Sequence, residues 1–181
     1  IYKEKLGINF EFLYAPLDIT KFNNLQQISK KENQIIYIGR DSYEKGIDIL
    51  KKIENKVNGK IIYCTDLKWE DAMENLKASS ILVIPSRMES IPQVIKEAFY
   101  LKVPIIATNV GGIPELIVHD KTGILVPSNN PDKLAEAINN LLLDKKKSQE
   151  LTLNANTFLK DNMTWDVVLP KFINFYKKLL E

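Results

Sequence analysis

The chain is poor in the residues that most catalytic chemistry requires. It has one cysteine, Cys64, and one histidine, His119, in 181 residues. A lone cysteine forms no intramolecular disulfide, and no metal-ligand spacing is present, so a reducing, cytoplasmic setting is the default. A single histidine excludes Ser-His and Cys-His catalysis unless His119 itself takes part. No stretch approaches the roughly 20 consecutive apolar residues that a membrane helix needs. The net charge of +2 is too small to argue for nucleic acid. No basic-then-apolar leader opens the chain. It starts at Ile1 rather than Met, as expected of a domain boundary or the cut edge of a longer chain. Arginine is also scarce: only Arg40 and Arg87 stand among 25 basic residues. The lysine bias is structurally neutral. Arginine is hard to replace where a planar fork must grip phosphate or carboxylate.

Apolar residues make up 45% of the sequence, enough for a full core, and the length suits one domain. Ile8 to Tyr14 reads as an apolar strand ending before Pro16, and residues 21–33 as a polar connector. A regular pattern follows. Short apolar runs at Ile35–Ile38, Lys60–Thr65, Ile81–Pro85, Pro104–Thr108 and Gly123–Val126 read as buried strands. Helical spacing covers Glu44–Val57, Trp69–Lys77, Ile91–Leu101 and Pro131–Leu143, with two more helices expected beyond. Short strands alternating with longer helices predict an α/β fold, a Rossmann-like parallel sheet with helices on both faces and extra C-terminal helices. Ligands of such sheets bind outside the carboxyl ends of the strands, so the residues just after each strand are the informative ones.

After the first of these strands comes Gly39-Arg40-Asp41-Ser42-Tyr43-Glu44-Lys45-Gly46. It reads either as a solvated turn, with Glu44 favouring a helix N-terminus, or as a diphosphate clamp built from two cations. After the third comes Ser86-Arg87-Met88-Glu89-Ser90-Ile91-Pro92. Ser90 is expected to cap the next helix and Pro92 to lie in its first turn, which would aim free N–H groups at an anion. Glu97 follows two turns on; by itself the Glu89/Glu97 pair is a weak signal. After the fourth strand, the Gly111-Gly112 pair reads as a tight turn rather than a ligand approach.

Together these segments are specific. The ordered set Gly39-Arg40…Lys45-Gly46, Pro85-Ser86-Arg87-Met88-Glu89…Glu97-Ala98, Gly111-Gly112-Ile113-Pro114-Glu115 and Thr122-Gly123-Ile124-Leu125-Val126-Pro127 resembles the C-terminal domain of the group 1 (family 4) retaining glycosyltransferases. These pair two Rossmann-like domains in the GT-B fold. The resemblance runs from about Ile8 to the C-terminus. Residues 1–22, with Tyr14-Ala15-Pro16-Leu17-Asp18, look like the family's post-linker segment, and residues 164–181, opened by Trp165, look like its closing helix.

The resemblance implies a nucleotide diphosphate sugar donor, UDP- or GDP-linked, with no metal and no further cofactor. Arg40 and Lys45 would neutralise the diphosphate, Glu89 would contact the donor sugar, and Glu97 would accept hydrogen bonds from the ribose hydroxyls. Arg40, Lys45 and Glu89 are thus the implied catalytic set. The donor site would also include Gly39, Arg87 and the backbone of Ser90, Ile91, Pro92, Gln93 and Val94, with the base near Thr65, in the Cys64–Leu67 segment. An N-terminal acceptor domain is the implied partner. The longer enzyme could also attach peripherally to the inner face of a membrane.

The chain departs from the family in three ways. One βα unit is missing, because Asn58-Gly59 leads straight into Lys60. Ile91 precedes Pro92 where many members carry an aromatic residue and then glycine. The acceptor domain, which supplies a catalytic histidine in the family, lies outside the chain; His119, in His119-Asp120-Lys121-Thr122-Gly123, reads as a turn residue instead. In the last helix Trp165, Val168, Leu169, Phe172, Phe175, Tyr176, Leu179 and Leu180 cover more than one core-facing stripe, which predicts that part of it docks on that missing domain. The isolated chain is therefore expected to be inactive. Two other readings stay open: half of a nucleotide-sugar epimerase, and a non-catalytic nucleotide-binding module.

Overall fold

A computed structural model describes residues 13–180. The expected strand Ile8–Tyr14 falls outside these except for Leu13 and Tyr14, which have no regular structure. A 3-10 helix, Ile19–Asn24, opens the described elements. Five strands follow: β1 Gln34–Ile38, β2 Lys60–Cys64, β3 Ile81–Ile84, β4 Ile105–Thr108 and β5 Ile124–Val126. They alternate with α1 Ile47–Lys51, α2 Trp69–Ala78, α3 Gln93–Leu101, α4 Ile113–Leu116 and α5 Pro131–Leu143. The chain continues through α6 Lys145–Asn162 and α7 Trp165–Leu180.

All strand pairs are parallel, in the order β2-β1-β3-β4-β5. The strand order reverses between β1 and β3, so the crevice at the carboxyl edge opens between the loops that follow these two strands. Both faces are covered. Ile36, Leu82, Ile84, Ile105 and Ala107 pack on one side with residues of α2, α3 and α6. Ile35, Tyr37, Ile81, Val83 and Ile106 pack on the other with α1 and α5. Side chains alternate between two apolar cores, which is why these strands read as unbroken apolar runs.

Local chemistry sets several helix ends. Asn130 accepts from the Lys133 N–H and Pro131 opens α5; Asp144 does the same for α6 through Lys147. Two expected boundaries are corrected. The helix predicted over Glu44–Val57 is confined to Ile47–Lys51. Gly46 takes the left-handed conformation at φ 70° and starts it late, while bonds from Ile53 to Leu50 and from Lys56 to Ile53 turn its end into tight turns. The helix predicted from Ile91 begins at Gln93, with Pro92 and not Ser90 at its cap. The Ser90 carbonyl instead accepts from the Gly112 N–H at 2.8 Å, which holds this residue out of the helix.

The segment leading into the sheet is anchored at two points. Lys96, 2% exposed as a residue, donates from its ammonium to the Ala15 carbonyl at 3.0 Å. The Leu17 N–H donates to the Met163 carbonyl at the junction of α6 and α7. Burial pushes the Lys96 ammonium below its ordinary value.

Candidate functional site

The loops after β1 and β3 are fastened together. The Glu44 carbonyl accepts from the N–H groups of Arg87 (2.7 Å) and Met88 (3.2 Å). A Cβ on Gly46 would overlap the Pro85 carbonyl, so only glycine lets the two loops approach this closely. Lys45 Nζ donates to Glu89 Oε1 at 2.5 Å, and Ser86 Oγ donates to the same oxygen at 3.0 Å. The Glu89 side chain is 7% exposed and that of Lys45 is 25% exposed. A cation and a carboxylate from different loops therefore meet at the mouth of the β1/β3 crevice.

The third loop sits directly on the second. Gly111, at φ 54°, would press any Cβ into the Glu89 carbonyl, and Gly112 would press one into that of Ser90. The glycine pair is thus more than a turn: it allows backbone-to-backbone contact that holds Glu89 and Ser90 in place. Beside them, Ser90, Ile91, Gln93 and Val94 donate none of their backbone N–H groups to an acceptor among the described residues. The first turn of α3 has donors to offer an anion.

The two arginines differ. Arg40 is exposed, and its guanidinium makes no hydrogen bond or ion pair among the described residues. It lies close to the Tyr37 hydroxyl, which is pushed up to about 12 by burial and by the charges of Asp41 and Glu89, with Arg40 opposing. That hydroxyl donates to the Arg40 carbonyl at 2.6 Å, bracing the turn at Gly39. Arg87 is engaged in full. Its fork grips Asp48 at 2.7 and 2.9 Å, Nε reaches Asn129 at 2.6 Å, and Nη1 also reaches the Tyr43 carbonyl at 2.7 Å. Its guanidinium stacks 4.1 Å from the Tyr43 ring centre. The Arg87 contact holds the Asp48 carboxyl down at about 2. Of the two partners an arginine fork suits, the structure gives this one a carboxylate.

Glu97, on α3, meets a residue that the motifs did not single out. Trp69 Nε1 donates to Glu97 Oε1 at 2.8 Å. Burial raises the Glu97 carboxyl above the ordinary range, opposed by this bond and by the charges of Lys96 and Lys21. Among the described residues no hydrogen bond joins Glu97 to Glu89, and the two carboxylates have different partners. Thr65 and Asp66 follow β2, Asp66 at φ 55°, and the Cys64 carbonyl accepts from the Gly39 N–H at 3.2 Å, which brings the β2 loop beside the β1 loop. Sequence reasoning placed the base in this loop but passed over Trp69, an aromatic residue four positions after Thr65 at the start of α2. His119 sits elsewhere: its Nδ1 accepts from the Leu125 N–H at 3.0 Å inside a turn. Two cavities, of about 450 and 490 Å³, lie beside β5 and at the amino ends of β1, β3 and β4, and none of the site residues lines either.

Comparison with known proteins bears on the family and the fold. An uncharacterised glycosyltransferase of Methanocaldococcus jannaschii is 28% identical over 183 residues, spanning 85% of this chain and 47% of that protein. A glycosyltransferase structure from Rickettsia africae superposes with a TM-score of 0.75 at 22% identity, over 93% of this chain and 57% of that one. An Anabaena protein solved with UDP-glucose superposes at 0.71 and 17% identity, over 81% and 49%. The chain spans about half the length of the curated relatives it matches. The family model described as glycosyl transferases group 1 matches residues 52–158, more than half of the sequence, and the chain belongs to that family.

Proposed function

We propose that this chain is the donor-binding half of a retaining glycosyltransferase that moves a sugar from a nucleoside diphosphate sugar to an acceptor glycan or lipid. The observation that carries the reading is the Lys45–Glu89 pair beside the unpaired N–H groups that open α3, at the β1/β3 crevice. In this reading Lys45 and Arg40 take the diphosphate, together with the backbone of Ser90 to Val94. Glu89 meets the donor sugar, and Glu97 accepts from the ribose. Negative charge grows on the diphosphate as the sugar–phosphate bond breaks, so fixed cations and helix N–H groups stabilise the transition state more than the ground state. Arg87 contributes by holding the two loops in register.

The acceptor side belongs, in this proposal, to a second domain outside the chain. Trp165, Leu169, Ile173, Tyr176, Leu179 and Leu180 of α7 are exposed, and in a two-domain arrangement this apolar stripe is where that domain docks. Among the described residues no helix is long and apolar enough to cross a membrane.

Calorimetric titration of the chain with UDP, GDP and ADP tests the donor site. Saturable binding of one nucleotide, weakened by both Arg40→Ala and Glu97→Ala, is expected and identifies the base. Binding that neither substitution changes would sink the assignment of these residues.

A further inference from the structure

Trp69 is fixed from three sides. It opens α2 directly after the β2 loop, and its ring meets Phe22 edge-on, with centroids 5.1 Å apart at 74°. Phe22 is buried in the 3-10 helix and packs in turn on Tyr100 of α3 at 4.5 Å. This aromatic row ties the start of α2 to the helix that carries Glu97. The indole N–H is the only polar group on the Trp69 side chain, and it can only donate. It donates to Glu97 Oε1, while Glu97 Oε2 makes no hydrogen bond among the described residues.

The two oxygens of one carboxylate are thereby made different. One is held by a rigid ring and the other is left with its lone pairs unused. A glutamate side chain on a helix surface otherwise samples several rotamers, and ordering it opposes binding. We propose that Trp69 is a positioning residue for the donor site: its indole N–H locks the Glu97 carboxylate in one orientation, leaving Oε2 to accept the vicinal hydroxyls of the nucleotide ribose. The inference rests on the reading of Glu97 as the ribose acceptor, and goes beyond it by naming what orients that acceptor.

Trp69→Phe keeps a ring against Phe22 and removes the N–H. Trp69→His returns a ring N–H donor. Glu97→Gln tests the carboxylate itself. All three are titrated with UDP, GDP and their 2′,3′-dideoxy counterparts, since the base is unassigned. The expected result is that Trp69→Phe weakens the ribonucleotide about 3- to 10-fold, as loss of one hydrogen bond implies. It leaves the dideoxy nucleotide unchanged, and Trp69→His recovers part of the difference. The pH midpoint of ribonucleotide binding also rises in Trp69→Phe, because the lost N–H favoured the charged carboxylate. Equal loss for both nucleotides would reduce Trp69 to a packing residue and overturn the proposal. So would unchanged ribose discrimination in Trp69→Phe alongside reduced discrimination in Glu97→Gln. Unchanged discrimination in Glu97→Gln itself would remove the ribose reading of Glu97 as well.

Discussion

Lys45 Nζ lies 2.5 Å from Glu89 Oε1, so two groups that the proposed function gives to different parts of the donor neutralise each other. They come from different loops, 44 positions apart, and Ser86 reinforces the contact. Under the proposed function, a diphosphate entering this crevice has to take Lys45 from Glu89 before it gains the charge.

That competition gives opposite signs for the two partners. Lys45→Met weakens nucleoside diphosphate binding about 10-fold or more, because a charge-assisted contact is lost. Glu89→Gln strengthens binding of the free nucleotide by about 2- to 5-fold, because the competing carboxylate is gone, an effect of roughly 0.5–1 kcal/mol. Calorimetry at fixed salt separates the two. Weaker binding in Glu89→Gln counts against the competition.

Arg87→Lys removes a planar fork and leaves a point charge. The bidentate contact to Asp48, the bond to Asn129 and the stacking on Tyr43 cannot all be kept. Asp48 is 42% exposed, so the loss stays moderate, at about 1–2 kcal/mol. The check is the denaturant midpoint. Asp48 adds an acid signature. Its folded pKa of about 2 lies below the ordinary carboxylate range, so its contribution is present above about pH 4 and is lost as pH falls through about 2. Arg87→Lys flattens that part of the stability profile.

Gly111→Ala places a methyl against the Glu89 carbonyl at a left-handed φ. Neither backbone can give way without moving the loop that carries Glu89. A destabilisation of at least about 2 kcal/mol is expected, with loss of nucleotide binding. Gly123→Ala meets mainly an Ile117 methyl at 3.0 Å and the Ile105 carbonyl at 3.1 Å, and serves as the milder control.

Glu97 carries a raised pKa, and the sign of its linkage is opposite to that of Asp48. The folded state binds the proton more tightly than the unfolded chain. The group therefore stabilises at low pH, and that contribution is lost as pH rises through the folded value. At neutral pH the charged carboxylate is a cost. Glu97→Gln should melt higher than the parent at pH 7.5 and show no advantage at pH 4, as expected where function is maintained against stability. Equal melting temperatures at both pH values would contradict this.

Along α7, exposed Trp165, Leu169, Ile173, Tyr176 and Leu180 recur every three or four residues and form one stripe, while Val168, about 100° further round the helix, is buried. The isolated chain should bind a hydrophobic dye or self-associate. The double change Leu169→Lys and Ile173→Lys should abolish this without lowering the melting temperature. A parent chain that is monomeric and dye-free argues against a docking face.

The alternation of strands and helices was legible from the sequence because it depends on local properties: apolar runs of strand length, amphipathic spacing, and Asn130-Pro131 or Asp144 at helix starts. The same holds for the loops that carry Lys45 and Glu89, since a residue just after a parallel strand must lie at the carboxyl edge of the sheet. What Arg87 grips, why two glycines follow β4, where α3 begins and what holds Glu97 depended on contacts between residues far apart in the chain. Arg87 meets Asp48 across 39 positions, and Trp69 meets Glu97 across 28. No local periodicity encodes such pairs. They exist only once the sheet order β2-β1-β3-β4-β5 has set the loops after β1, β3 and β4 side by side, where backbone crowding decides which positions tolerate a side chain and which charges find partners.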